Sequence, residues 1–287
     1  MTFRATMLAA TLLVPPALAE AVERTVYVTV VDGKGVAVTD MTPADFVVKE
    51  GGKEREIAKA APASAKMRLT LAVEERMIAD TSVRQAMFAF MKRLIGAADI
   101  RMVIIGLRNT SVADYTNSLE TLVGAINKLT LNPRPESNVA EGVLEVASDL
   151  TTKKEERPVL VVLALSGGQA GVDPRTVLEK LRQSGATMSA LTLAGGGTDT
   201  SNPAMLSEQS GREQVLGDGP KQSGGRRIEV PSTGAFPQAL QQIADDLLAQ
   251  YQITYTLPDG VKPDKRFGVS SKRRGVTLRA PSAIPDK

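Results

Sequence analysis

Apolar and polar residues alternate from Glu23 to Val31 (ERTVYVTVV), a period of two that predicts a half-buried strand. Asp32-Gly33-Lys34-Gly35 then turns the chain, and Val36–Val38 resumes an extended course. Asp45–Glu50 (DFVVKE) and Arg55–Ala58 predict two more short strands around the turn signal Gly51-Gly52-Lys53. Ala60–Ala65 (AAPASA) reads as a linker. Short strands around glycine turns make a β unit too small to bury a core by itself.

From Met67 the period changes. Met67–Val73 predicts a strand, and Asp80–Leu94 a helix with Val83, Met87, Phe90, Met91 and Leu94 on one face and Asp80 or Thr81 as N-cap. Ile100–Leu107 is a second strand, Val112–Tyr115 a short edge segment, and Leu119–Leu129 and Val139–Leu150 are helices flanking the proline-containing loop Asn132–Ser137. Val159–Leu165 is an unbroken apolar run only seven residues long, which predicts a strand buried on both faces at the centre of a parallel sheet. Asp173–Ser184 is a helix with Pro174 in its first turn and Gly185 past its end, and Ala186–Leu193 is a strand. Gly195–Gly225 holds eight glycines and few apolar residues, so a mobile surface loop is expected at 195–225. Arg226–Val230 (strand), Phe236–Gln250 (amphipathic helix), Tyr251–Leu257 (strand) and two short strands within Arg266–Arg279 complete the chain.

Strands alternating with helices imply an α/β fold with a doubly wound, mostly parallel sheet. The terminal β pieces are expected to pair as one small accessory domain, since neither half buries its apolar face alone. The expected organisation is a leader at 1–19, a β segment at 20–63, the α/β unit at 64–251, and a β segment at 252–287 pairing with 20–63.

Met1–Ala19 has an early cation (Arg4), an apolar stretch from Met7 to Val14, and Ala17-Leu18-Ala19 before Glu20. This is the layout of a secretory signal cleaved after Ala19. The run is too short for a membrane anchor and is interrupted by Pro15-Pro16. No later stretch is long enough to span a bilayer. The mature chain is therefore expected to be periplasmic or secreted, with no disulfide, because it has no Cys.

Composition narrows the chemistry. With no His and no Cys, the chain cannot build Ser-His-Asp or Cys-His nucleophilic machinery, His-ligated zinc or thiolate metal sites. Carboxylate pairs, Lys nucleophiles and oxygen-ligated hard cations survive. A net charge of +3 with 3% aromatic residues gives neither the basic face nor the stacking platforms of a nucleic-acid binder. Gly195-Gly196-Gly197 leads into no predicted helix, so it does not read as a phosphate cradle. Asp245 and Asp246 are adjacent on a predicted helix and do not face each other, which argues against a catalytic carboxylate pair.

Three stretches carry a family resemblance: Val26–Ile57, the central RPVLVVLALSGG, and Leu240–Gly260 (LQQIADDLLAQYQITYTLPDG). Together with the element order, they resemble the VWFA-related domains of exported bacterial proteins, built on a von Willebrand factor type A fold. That resemblance implies a site at the carboxyl edge of the sheet, where type A domains often hold Mg²⁺ through a metal-ion-dependent adhesion site. Its loops supply Asp-x-Ser-x-Ser, a Thr and an Asp, the hard oxygens that an octahedral cation requires. In this chain, Glu74 aligns with the first Asp, Arg76 and Ile78 with the two serines, Ser137 or Asn138 with the Thr, and Ser166 with the last Asp. Asp80-Thr81-Ser82 imitates the motif but lies beyond the strand end and fits a helix cap. The site reads as degenerate, with no metal and no cofactor expected.

The rim Glu74, Glu75, Arg76, Ser137, Asn138, Ser166 and Gln169 is the expected partner-binding edge. The reading that follows is a non-enzymatic, metal-independent binding, adhesion or scaffold module whose partner is a protein or an envelope-surface component. Two alternatives stay open. One is a Mg²⁺- or Mn²⁺-dependent adhesion module using Glu74 or Glu75 with Ser137 and Ser166; the other is an envelope-acting carboxylate hydrolase.

Overall fold

The computed structural model describes residues 22–129, 137–166, 171–194, 203–258, 260–262, 264 and 266–285, with 203–209 as backbone alone. The leader with its cleavage position, Gln169 and Gly195–Gly197 lie outside the described residues.

The N-terminal alternation forms β1 (Val22–Asp32), followed by β2 (Phe46–Glu50), β3 (Lys53–Arg55) and β4 (Ile57–Pro62). Next come β5 (Met67–Glu74), α1 (Glu75–Ile78), α2 (Thr81–Leu94), β6 (Ala98–Ile105), β7 (Thr110–Thr116), α3 (Leu119–Asn127) and α4 (Val139–Lys153). The central run forms β8 (Pro158–Leu165), then α5 (Pro174–Ser184), β9 (Thr187–Leu193), α6 (Pro203–Ser223), β10 (Arg227–Val230) and α7 (Phe236–Leu248). Strands β11 (Tyr251–Leu257), β12 (Phe267–Ser271) and β13 (Val276–Arg279) close the described chain.

The large sheet has the order β10-β9-β8-β5-β6-β7. Every pairing is parallel except β6 with β7 at the edge. β8 lies at the centre, and Val159–Ala164 are all fully buried, as a strand covered on both faces requires. One face packs against α2, α3 and α7 through Met87, Met91, Leu122, Phe236, Leu240 and Ile243. The other packs against α4, α5 and α6 through Val143, Val146, Val177, Leu181, Val215 and Leu216. Because β5 is flanked by β6 on one side and β8 on the other, the strand order reverses there. The crevice outside the carboxyl ends of β5 and β8 is where a doubly wound sheet receives ligands.

The termini meet in two small antiparallel sheets, β13-β1-β11-β4 and β12-β2-β3. Their shared core contains Val28, Val30, Phe46, Val48, Tyr251, Ile253, Tyr255 and Phe267. Two elements differ from the sequence expectation. The stretch read as a linker enters β4, where Ala60 and Ala61 pair with Ile253 and Gln252, since small side chains suit an edge strand laid against β11.

The second difference is larger. Most of the expected mobile loop 195–225 is the 21-residue helix α6. Its inward positions Gly211, Arg212, Val215, Leu216, Gly219, Pro220 and Ser223 recur at helical spacing, but only two of them are large apolar residues, so the usual hydrophobic stripe is missing. The small residues allow close approach instead: a Cβ on Gly219 would lie 2.8 Å from Met188 Sδ and 3.3 Å from Leu181. Tertiary contact thus supplies the stabilisation that the sequence pattern conceals.

Buried Arg157 joins the α/β unit to the terminal β unit, and buried Arg24 joins the two small sheets. Arg157, just before β8, donates to Ala65 O (2.9 Å), Leu247 O (2.7 Å) and Gln250 Oε1 (3.0 Å), and stands 5.2 Å from the Tyr27 ring centre. Arg24 on β1 pairs with Glu50 at 2.9 Å and donates to Pro285 O, while Tyr255 donates to the same carboxylate at 3.2 Å.

Candidate functional site at the carboxyl edge of the sheet

β5 ends in Glu74, whose Cα pairs with that of Ile105 on β6, and whose side chain turns into the crevice toward β8. At that end of β8, Ser166 N donates across to Leu193 O on β9, so the preceding amide points the other way, toward β5. β5 has no backbone left to receive it. Glu74 Oε2 takes the bond instead, at 2.8 Å from Leu165 N.

The Glu74 carboxylate is surrounded by donors. Oε1 accepts from Ser137 Oγ (2.6 Å) and from Arg76 Nη2 (3.0 Å) and Nε (3.2 Å). Oε2 accepts from Leu165 N and from Arg212 Nη2 at 2.7 Å. A carboxylate offers about four lone-pair directions, and all are engaged here. Arg212 also donates to Leu165 O at 2.6 Å, bracketing the end of β8. Both Glu74 and Arg212 side chains are 0% exposed, whereas Arg76 is 42% exposed. Burial by itself would raise the Glu74 carboxyl pKa. Arg212, the Ser137 hydroxyl and the Leu165 amide outweigh it and hold the group below its usual value.

The remaining predicted rim residues have different tasks. Asn138 caps α4, accepting from Glu141 N at 3.2 Å and donating to Glu141 Oε2 at 3.0 Å. Glu75 opens α1, close enough to Gly106 that a Cβ there would lie 2.8 Å from its Oε2. The Ser166 Oγ is buried without a hydrogen-bond partner among the described residues. Asp80 caps α2, accepting from Ser82 N (2.7 Å) and Val83 N (3.3 Å), and takes no part in this cluster. The structure therefore brings together Glu74, Arg76, Ser137 and the end of β8. It adds Arg212, which sequence reasoning missed because it lay inside the stretch read as loop. The available signal was Arg212-Glu213-Gln214-Val215-Leu216, a short helical spacing of buried positions. On the exposed rim, Leu107 in the turn after β6 is 72% exposed.

No protein-family model and no curated protein sequence matches the chain. Solved structures do. Proximal thread matrix protein 1 from the mussel byssus, with a zinc-occupied MIDAS motif, is similar at a TM-score of 0.50 and 14% identity, over 70% of this chain and 49% of that one. A mutant of the PilB minor pilin from Streptococcus sanguinis reaches 0.50 at 12% identity, over 65% of this chain and 62% of that one. A von Willebrand factor type A protein from Catenulispora acidiphila covers 87% of this chain and 76% of its own at 13% identity and a TM-score of 0.46. The large sheet and its helices have a von Willebrand factor type A-like fold. The chain spans about half the length of the mussel protein it matches.

A type A-like domain is expected to present hard oxygens to a cation at this edge. The residues present do not fit one. Arg212 and Arg76 bring two positive charges to the first carboxylate, every acceptor position on that carboxylate is used, and Ile78 offers no oxygen. Among the described residues, no group of three or more Asp, Glu, His or Cys stands close enough to share a metal ion.

Proposed function

We propose that this chain is an exported, non-enzymatic module that binds a protein or envelope-surface partner through the carboxyl edge of its type A-like sheet, without a bridging metal. One observation carries the reading: the Arg212 guanidinium pairs with Glu74, the carboxylate that aligns with the first metal ligand of the adhesion site. A fixed internal cation neutralises Glu74 and ties β5, β8 and α6 together. The contact surface consists of the exposed part of Arg76, Leu107, and the polar rim of Glu75 and Asn138, with Ser166, whose hydroxyl is buried, and Gln169 as further expected members. An exposed apolar side chain together with charged and polar groups suits shape and polar complementarity.

A leader-like N-terminus supports export, and no helix among the described residues is long and apolar enough to cross a membrane. The absence of His and Cys from the sequence, and the enclosed, fully bonded state of Glu74, support a role without catalysis.

The test is thermal unfolding in EDTA and then in millimolar Mg²⁺, Mn²⁺ or Ca²⁺. A cation that binds only the folded chain raises the midpoint by mass action, by about 2.7 kcal/mol at a hundred times its dissociation constant. No shift with any of the three is expected. A clear shift with one of them would replace this reading with cation-dependent adhesion through Glu74 or Glu75, Ser137 and Ser166.

A further inference from the structure

Away from the sheet's carboxyl edge, the last turn of α6, the start of β10 and strand β13 enclose a groove of about 390 Å³. Four cationic side chains line it: Lys221, Arg226, Arg227 and Arg279. Among the described residues, no carboxylate lines it. Acidic groups pair with these arginines: Asp246 accepts from Arg226 at 3.0 Å and lies 2.6 Å from Arg279. Arg227 lies between Glu213 (2.7 Å) and Glu229 (2.9 Å). Arg226 is thereby held through Nη1 and Arg227 through Nη2, so part of the order a ligand would otherwise have to impose is already present.

Burial pushes the Arg279 guanidinium below its usual pKa and nearby Arg226 adds to this, with Asp246 only partly offsetting them. Lys221 is exposed and has no ion pair among the described residues. Against the three carboxylates paired with the arginines, the four cations of the groove leave one positive charge over, on Lys221, which a negatively charged occupant would neutralise.

We propose that this groove docks an acidic, extended segment of a partner polypeptide. Leu278 and Ala280 give it an apolar floor between the charges, which matches a chain alternating carboxylates with small apolar side chains. β13 pairs with β1 alone among the described strands and forms the edge of its sheet, so an extended segment also meets main-chain groups there. No aromatic ring lines the groove, which disfavours single-stranded nucleic acid, whose bases need stacking partners. This surface does not depend on how the carboxyl edge works, and its test reads a different ligand and different residues.

The experiment is fluorescence anisotropy on the full chain with a labelled peptide of alternating Glu and Val. The comparison ligands are the matching Lys/Val peptide and an oligonucleotide of equal net charge. The Glu/Val peptide is expected to bind, to weaken as salt rises, and to lose about tenfold or more in affinity with Lys221→Glu plus Arg227→Gln. The Lys/Val peptide is expected not to bind. Arg227 also braces Glu213 and Glu229, so Lys221→Glu alone serves as the variant that leaves every described ion pair intact, and it must weaken binding by itself. Absence of binding at low salt, affinity unchanged in Lys221→Glu, or tighter oligonucleotide binding lost in the same variants would each overturn the proposal.

Discussion

Arg212 Nη2 lies 2.7 Å from Glu74 Oε2, and neither side chain has any exposed surface. A lone buried carboxylate would be driven toward its neutral form, and a lone buried guanidinium cannot shed its charge. Ser137 Oγ, Leu165 N and Arg76 also donate to the carboxylate and Leu165 O accepts from Arg212, while Nε and Nη1 of Arg212 have no partner among the described residues. Removing both charges for well-packed apolar groups can be nearly neutral, whereas removing one leaves the other stranded.

Arg212→Met is therefore expected to lower stability by about 3–5 kcal/mol in urea unfolding, because Glu74 loses its buried counter-ion. Glu74→Gln added to Arg212→Met should recover a large part of that loss. A cost below about 1 kcal/mol for Arg212→Met would show that the pair does not hold the edge together.

Acid sensitivity follows from the same carboxylate. The folded-state pKa of Glu74 is lowered from 4.5. Below that value the unfolded chain takes up a proton that the folded chain still refuses, so the unfolded state binds more protons and stability rises with pH. The contribution is complete above the unfolded value and is lost as pH falls through the lower folded value. Denaturant midpoints measured at stepped pH should fall less steeply on acidification in Glu74→Gln than in the parent chain. Identical slopes would contradict the assignment.

Gly225 precedes β10 at a point where a Cβ would lie 1.8 Å from Met188 O on β9. That oxygen is backbone and cannot rotate away. Gly225→Ala should cost about 1–3 kcal/mol or more as β10 is pushed from the sheet edge. Gly52→Ala is a poor control because of its positive φ, but Gly96→Ala meets nothing within 4 Å and should cost far less. Thermal midpoints of Gly225→Ala and Gly96→Ala, measured side by side, check this.

Arg157→Met keeps side-chain length but leaves Ala65 O, Leu247 O and Gln250 Oε1 without their donor. A loss of about 2–4 kcal/mol is expected from stranded buried acceptors. Since Arg157 also stacks near Tyr27, amide exchange in β1 should accelerate more than in β8. Equal acceleration in both strands would mean that the arginine does not couple the two units.

At the proposed contact surface, Leu107→Ser and Arg76→Glu differ in what they test. Leu107 is exposed, so Leu107→Ser should leave the unfolding midpoint within about 0.5 kcal/mol of the parent while reducing capture of the proposed protein or envelope-surface partner from extracts. Arg76→Glu removes a donor to Glu74 and should affect both. Unchanged capture by Leu107→Ser, scored against the parent chain, would remove the apolar residue from the interface.

Much of the architecture was legible from local pattern. The seven-residue apolar run Val159–Leu165 could only be a doubly covered strand, Asp80 announced the start of α2, and Pro174 with Gly185 bounded α5, because these signals act within a few residues. Glu74 was identifiable as the residue at the first ligand position, and Arg76 as a cation out of place beside it. The buried partner of Glu74 was not legible. α6 has helical spacing without a hydrophobic stripe, since its inward face is built from glycine, proline and arginine that depend on close contact with β9 and α5. The pairing of Glu74 with Arg212, 138 residues apart, exists only once α6 is packed on the sheet. Local sequence determined most of the elements and their order along the chain. Tertiary packing decided which charge fills the edge, because a buried ion pair is specified by where two distant segments meet and by nothing in either segment alone.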